Sequence, residues 1–266
     1  MTAPRRYPLK RVFDIVVALC VLIAASPLLL GSMLAVWLQD WHSPFYMAPR
    51  VARGGGMFTM IKVRSMIVNA AKSGVNSTGA NDRRITGVGR FIRRYKIDEL
   101  SQFLNVLFGS MSVVGPRPQV RDWGVDLYTD EEMALLSVRP GITDLASIVF
   151  SDEGDILAGA PHADLRYNEV IRPWKSRLGL FYIRHMSLAL DIRICWLTAV
   201  AIVDKAKALA GVVAILERHG ADAELIATCR RDAPLRAAPP PGAMEVETGA
   251  PRARGAGHQA QPAGAR

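Results

Sequence analysis

Two carboxylates stand side by side at Asp98 and Glu99, at the apparent start of a helix. From Ile97, apolar residues recur at Ile97, Leu100, Phe103, Leu104 and Leu107. That spacing suits one helix face, and Gly109 is placed to end it. Asp98, Gln102 and Asn105 then share another face, with Glu99 beside them. Adjacent carboxylates can divide their labour in phosphoryl chemistry. One can hold a hard divalent cation such as Mg²⁺, which prefers oxygen ligands and bridges phosphates. The other can attack phosphorus and form an acyl phosphate. An acidic pair in a first turn is also what the helix dipole alone favours, so its surroundings must decide.

Those surroundings are strongly basic. Arg83, Arg84, Arg90, Arg93, Arg94, Lys96 and Arg117 lie between residues 82 and 118. Phosphoryl transfer depends mainly on charge stabilisation, which guanidinium and ammonium groups supply. In Gly115-Pro116-Arg117-Pro118, two prolines stiffen the backbone around one arginine and could hold it for bidentate phosphate contact, although taken alone the segment reads first as a plain turn. Lys62 and Arg64 form a further basic pair.

These groups need elements to place them. Residues 15–38 carry no charged side chain. As a helix they would extend about 36 Å, enough for a hydrocarbon core of about 30 Å. Arg5, Arg6, Lys10 and Arg11 precede the segment and favour a cytoplasmic, anionic surface at its start. It is too long for a cleaved signal peptide and no small-residue cleavage site follows it. Ser26-Pro27 sits near its middle, where proline would kink or break a helix and the serine hydroxyl could satisfy a freed carbonyl. A spanning helix and a re-entrant one both remain open on these grounds. The re-entrant form keeps the rest of the chain on the side of the basic N-terminus, which agrees better with a phosphate-handling site.

The expected fold class is α+β, mostly helical. It comprises a basic segment 1–9, a re-entrant membrane helix 10–40 broken at Ser26-Pro27, and a small cytoplasmic catalytic domain 41–217 with short strands. A linker and tail follow at 218–266. A strand is expected around Phe58–Val63 after the Gly54-Gly55-Gly56 turn, short helices at 131–138 and 164–171, and one or two apolar helices within 186–217. Residues 72–82 read as a polar loop. Beyond about Arg230 the sequence is rich in Ala, Pro, Gly and Arg, and reads as disordered. The balance of 33 basic against 24 acidic residues, +9, favours anionic partners. No helix-turn-helix pattern or interleaved aromatics point to nucleic acid. Cys20, Cys195 and Cys229 lack metal-ligand or disulfide spacing, and the five histidines form no ligand pair.

The ordered motifs resemble the bacterial sugar transferases of the monotopic phosphoglycosyl transferase superfamily. They are KRVFD at 10–14, Ser26-Pro27, FTMIKVRSM at 58–66, RITGVGRFIRR at 84–94, DELSQFLNVLFGSMSVVGPRP at 98–118, VRPGIT at 138–143 and LDIRICWLT at 190–198. The resemblance implies an enzyme of the bacterial inner membrane, with its catalytic domain on the cytoplasmic face. It would move a phosphosugar from a UDP-sugar to polyprenyl phosphate, beginning polysaccharide or glycoconjugate assembly. It implies Asp98 as covalent nucleophile, Glu99 as Mg²⁺ ligand, and Lys62, Arg64, Arg90, Arg94 and Arg117 as phosphate ligands. Its partners would be the UDP-sugar, the polyprenyl phosphate and the lipid bilayer, with homo-oligomerisation left open.

Ser101, Ser110, Pro49 and Gly179 depart from the usual pattern, and DLASIVFSDEGDIL replaces the commoner GLAQV. Gly179 stands where an aspartate is frequent, so Asp152, Glu153 and Asp191 become candidates for the missing acid. The alternative reading is an inactive, membrane-tethered scaffold of the same fold. Intact Asp98, Glu99 and Arg117 argue against it.

Overall fold

The structure, a computed structural model, describes residues 9–70, 82–122, 124–160 and 162–246. The expected N-terminal basic segment but for Leu9, almost all of the polar loop 72–82, and residues 247–266 of the tail lie outside the described residues. The chain is mostly helical with a few short strands, as the sequence predicts.

Helix α1 (Lys10–Asp40) is continuous over 31 residues, about 46 Å at 1.5 Å per residue. The break expected at Ser26-Pro27 does not interrupt it. Proline at 27 leaves the Ile23 carbonyl without its usual N–H donor, and the Ser26 hydroxyl donates to that carbonyl at 2.8 Å. Both ends of α1 are fastened to the rest of the chain. At its start, Asp14 is fully buried and accepts from the Val113 amide at 3.0 Å and the Ser112 hydroxyl at 2.9 Å. Lys10 pairs with Asp191 and donates to the Val114 carbonyl at 3.0 Å. Arg11 donates to the Val106 and Leu107 carbonyls. At its far end, Asp40 receives two hydrogen bonds from Arg64, at 2.5 and 2.7 Å. Between these anchors, Leu29 and Val36 pack with Val63, Ile92 and Ile97. Ile23, Leu28, Leu30, Leu34 and Leu38 are left exposed.

Strands β1 (Phe45–Val51) and β2 (Met57–Val63) form an antiparallel hairpin, with Phe45 opposite Val63 and Val51 opposite Met57. Gly54 and Gly55 make its turn at φ of 79° and 84°, a region where a Cβ is strained. Next come α2 (Gly87–Arg94), capped by the Thr86 hydroxyl, then α3 (Ile97–Leu100) and α4 (Gln102–Phe108). The single helix expected from Ile97 is thus divided at Ser101, whose hydroxyl donates to the Ile61 carbonyl at 3.1 Å.

The apolar face packs as expected, with Ile97 buried and Leu100, Phe103 and Leu107 against the core. The face carrying Gln102 and Asn105 is buried as well. Asn105 shows why. Its side-chain oxygen accepts from the Ile61 amide at 2.8 Å, and its nitrogen donates to the Thr59 carbonyl at 2.7 Å. It thereby supplies β2 with the hydrogen bonds that a third strand would otherwise make. Replacing Asn105 with Ala orphans both backbone groups and is expected to cost about 2–4 kcal/mol. A lowered midpoint in chemical denaturation checks this.

Strand β3 (Ser112–Val114) pairs in parallel with β4 (Gly141–Thr143). Two motifs meet there. A Cβ on Gly115 would lie 2.6 Å from the Arg139 carbonyl oxygen, and one on Gly141 would lie 2.2 Å from the Gly115 amide nitrogen. Only glycines allow this approach, which ties the GPRP turn to the RPGIT strand. The remaining helices are α5 (Leu145–Val149), α6 (Glu153–Ile156), α7 (Ala163–Val170), α8 (Arg172–His185), α9 (Leu188–Val203), α10 (Lys205–Arg218) and α11 (Ala223–Arg230). The core beneath them includes Trp174, Leu178, Tyr182, Ile194 and Val212.

The tail read as disordered from about Arg230 runs along the domain as far as residue 246. Ala238 is buried and its amide donates to the Glu169 carbonyl at 3.1 Å. Short side chains and prolines bury little apolar area, so composition alone does not reveal a segment held by its backbone carbonyls.

Candidate active site

Asp98 and Glu99 fall in the first turn of α3, facing β2. Lys62, near the end of β2, places its ammonium 3.9 Å from Asp98 Oδ2. Arg117 leaves the end of β3 and donates to Glu99 Oε1. The parallel β3–β4 pair fixes where Arg117 starts: the Gly115 amide donates to the Thr143 carbonyl, and the Gly141 amide to the Pro116 carbonyl, both at 3.0 Å. So the hairpin, the short helix and the GPRP turn each deliver one part of a four-residue cluster.

The two carboxyls differ electrostatically. Burial pushes the Asp98 carboxyl above its ordinary value, with Lys62 pulling the other way. Burial would also raise Glu99, but the Arg117 guanidinium and Lys62 more than offset it and hold that carboxyl down at about 2. Burial, with Arg117 adding to it, pushes the Lys62 ammonium below its ordinary value. Glu99 therefore stands as a fixed anion bound to a cation. Asp98 is a largely desolvated carboxyl that, among the described residues, pairs with Lys62 at 3.9 Å and has no charged hydrogen-bond partner. One is suited to binding and the other to attack.

A metal would fit this donor set. Glu99 Oε2 receives no protein hydrogen bond among the described residues, and Mg²⁺ commonly takes one or two carboxylates plus substrate phosphate oxygens. No cluster of three or more acidic, histidine or cysteine side chains occurs among the described residues, so phosphates would have to complete the coordination.

The other expected phosphate ligands are placed differently. Arg64 is committed to Asp40 and to the Ser43 carbonyl, at 2.9 Å for the latter. It holds the end of α1 and does not reach the carboxylates. Arg90 and Arg94 lie exposed on α2. Arg93, between them, turns inward instead, donating to the Ser65 hydroxyl at 2.9 Å and lying close enough to Asp98 to favour its ionised form. Arg50 on β1 is a further cation near Arg117 and Lys62. Helical phase separates Arg93 from its neighbours, and strand pairing brings in Arg50; neither signal is visible until the partner elements are known.

Beyond Arg117 opens a cleft lined by Tyr128, Asp144, Ser147, Tyr167 and Lys175, among others. Gly179 backs onto it: a Cβ there would lie 2.7 Å from Leu135 and 3.6 Å from Pro116. Of the three acids considered as substitutes, Asp191 is buried with Lys10 and Tyr182. Asp152 pairs with Lys205 and Arg231, each at 2.9 Å. Glu153 is the one that pairs with a cleft-lining residue, Lys175.

A family model described as bacterial sugar transferase matches residues 5–205. A UDP-N-acetylgalactosamine-undecaprenyl-phosphate N-acetylgalactosaminephosphotransferase of Aeromonas hydrophila is 34% identical over 194 residues, 71% of this chain and 42% of that protein. An undecaprenyl-phosphate glucose phosphotransferase of Komagataeibacter xylinus is 38% identical over 195 residues, 71% of this chain and 35% of its own length. An uncharacterised sugar transferase of Bacillus subtilis, EpsL, is 34% identical over 190 residues, covering 71% of this chain and 85% of that one. The chain thus spans well under half the length of the first two relatives. The matched region includes the carboxylate pair, both glycine-locked motifs and α1. The chain belongs to the bacterial sugar transferase family.

Proposed function

We propose that this chain transfers a phosphosugar from a UDP-sugar to a polyprenyl phosphate, through a covalent intermediate on Asp98. The observation that carries the reading is the division between Asp98 and Glu99: one desolvated carboxylate facing Lys62, one anion held by Arg117. An Asp98 carboxylate oxygen attacks the β-phosphorus, and the bond from that phosphorus to the bridging oxygen breaks, releasing UMP. An oxygen of the polyprenyl phosphate then attacks the same phosphorus. The aspartyl–phosphorus bond breaks, giving polyprenyl diphosphate sugar and the free carboxylate. Arg117, Lys62 and Arg93 steady the charge that spreads over the phosphoryl oxygens. Bound at Glu99, Mg²⁺ would neutralise the diphosphate.

The acceptor's lipid nature suits α1. Its exposed leucines and isoleucine need an apolar covering, and a bilayer supplies one. Both α1 ends are bound by the same domain, which supports a helix that enters the membrane and keeps both flanks on the side of the domain. Exposed Phe91 and Tyr95 beside Arg90 and Arg94 would then rest at the anionic surface, taking the place of the phosphate-ligand role for those arginines. On this reading the domain faces the cytoplasm, where UDP-sugars are made.

Purified protein given Mg²⁺, polyprenyl phosphate and a panel of UDP-sugars should yield UMP and a lipid-linked sugar diphosphate. Neither product from any donor would refute the activity. Cysteine labelling on either flank of α1 should report one side, and labels on opposite sides would contradict the re-entrant reading.

The pH dependence follows from the Asp98 environment. The nucleophile is the carboxylate, so rate falls as pH drops through the raised Asp98 value, above the roughly 3.9 of a free aspartate. Lys62 is the main influence opposing that rise. Lys62→Met should therefore move the acid limb of the first half-reaction to higher pH, besides slowing it. An acid limb that stayed in place would show that Lys62 does not act on Asp98.

A further inference from the structure

We propose that residues 205–246 are a positioning clamp for the wall of the cleft beyond Arg117, setting how tightly the sugar-nucleotide donor is held. This rests on reading that cleft as part of the donor site. The family match ends at residue 205, yet the chain continues through α10, α11 and an extended strap. Val212, Ile215, Leu216, Leu225 and Cys229 of those helices are buried against the domain.

The contacts of this extension fall beside one cleft-forming residue after another. Arg231 and Lys205 both bind Asp152, next to Glu153, which pairs with Lys175. Arg231 also donates to the Val149 carbonyl at 3.3 Å and stacks over Phe150. The Trp174 indole N–H donates to the Arg236 carbonyl at 3.2 Å, one residue before Lys175. Arg177 donates to the Pro239 carbonyl at 3.2 Å and pairs with Glu224 at 3.5 Å. The Ala238 amide bonds the Glu169 carbonyl, two residues from Tyr167, and the Thr129 hydroxyl donates to the Pro241 carbonyl, next to Tyr128. Three separate segments of the cleft wall, at Thr129, Glu169 and Trp174 to Arg177, are thereby tied to the strap, and a fourth, at Val149 and Asp152, is tied to Arg231 and Lys205.

Backbone carbonyls of a proline-rich strap suit this purpose. Proline limits the strap's freedom before it docks, and carbonyls need no particular side chain to accept. Among the described residues no strap contact involves the carboxylate pair, so the clamp should act on donor binding and leave the nucleophile intact. A misplacement of about 1 Å in substrate-positioning groups can cost as much as 100-fold.

The test compares the full chain with one ending at Asp232, which keeps α10, α11 and Arg231 but lacks the strap, and with Arg231→Gln. The truncated chain should show a KM for UDP-sugar raised about tenfold or more, with kcat changed far less. Amide hydrogen exchange of the truncated chain should quicken in residues 163–178 and stay unchanged in 97–114, whereas Arg231→Gln should quicken residues 144–156. A synthetic peptide of residues 232–246 should restore the KM when added. A KM within about twofold of the full chain, with unaltered exchange, overturns the clamp. If the truncated chain does not fold, Arg231→Gln carries the KM readout, with exchange read in residues 144–156. If the full chain releases no UMP from any UDP-sugar, the donor reading fails, and the exchange comparison still decides whether the strap holds the wall.

Discussion

Asp98→Asn is expected to remove turnover, lowering UMP release by on the order of 10³-fold or more while leaving the fold intact. Asparagine matches aspartate in shape but lacks a nucleophilic oxygen anion, so no acyl phosphate forms. The fold should tolerate it, because among the described residues the Asp98 carboxylate takes no hydrogen bond, its ion pair being with Lys62 at 3.9 Å. Removing a desolvated charge relieves burial, so thermal stability should hold or rise slightly. Donor binding should persist, since Glu99 and Arg117 are untouched. A variant with unchanged activity would exclude Asp98 as the nucleophile.

Glu99→Gln should act differently. It removes the anion that Arg117 binds and that Mg²⁺ would join, while keeping a side-chain oxygen as acceptor. A loss of about 10²–10³-fold in kcat/KM is expected, the range seen when one preorganised electrostatic group is removed. The half-saturating Mg²⁺ concentration should rise with it, which separates this variant from Asp98→Asn. Stability should also become less sensitive to acid. Glu99 has a folded value of about 2, below its ordinary 4.5. Its contribution is present above the unfolded value and is lost as pH falls from about 4.5 towards 2. The variant lacks that loss, and acid titration of both proteins checks it.

Much of this arrangement was legible from residue types. The carboxylate pair stood out by its place at a helix start beside a basic run, and the family resemblance assigned its two roles. The two Gly-containing motifs were visible as motifs. Their joint purpose, backbone packed on backbone at Gly115 and Gly141, depends on a parallel pairing across some 25 residues that no local pattern encodes. The role of Asn105 was hidden for a related reason. Its place on the face shared with Asp98 and Gln102 says nothing of the strand edge it completes.

Charge was harder to read than periodicity. Arg64 and Arg93 both sit in basic motifs, but one anchors α1 at Asp40 and the other turns towards Asp98. An arginine's reach is long, so its role is set by which carboxylate is nearest in space. The KRVFD motif shows the same effect. Lys10 and Asp14 look like a charged flank of an apolar helix, and they dock its first turn onto β3 and α9. The strap beyond Arg230 was illegible because composition reports apolar area, whereas its attachment is mainly through main-chain groups.

The central claim is a covalent phosphosugar on Asp98, and intact-mass analysis tests it most directly. The protein would be incubated with UDP-sugar and Mg²⁺ but no lipid acceptor. The account predicts a mass gain of one phosphosugar, located on the peptide containing Asp98, with UMP formed in equal amount and the adduct discharged by polyprenyl phosphate. UMP that appears only when polyprenyl phosphate is present, with no adduct under any condition, would contradict it and point to direct transfer between the two substrates.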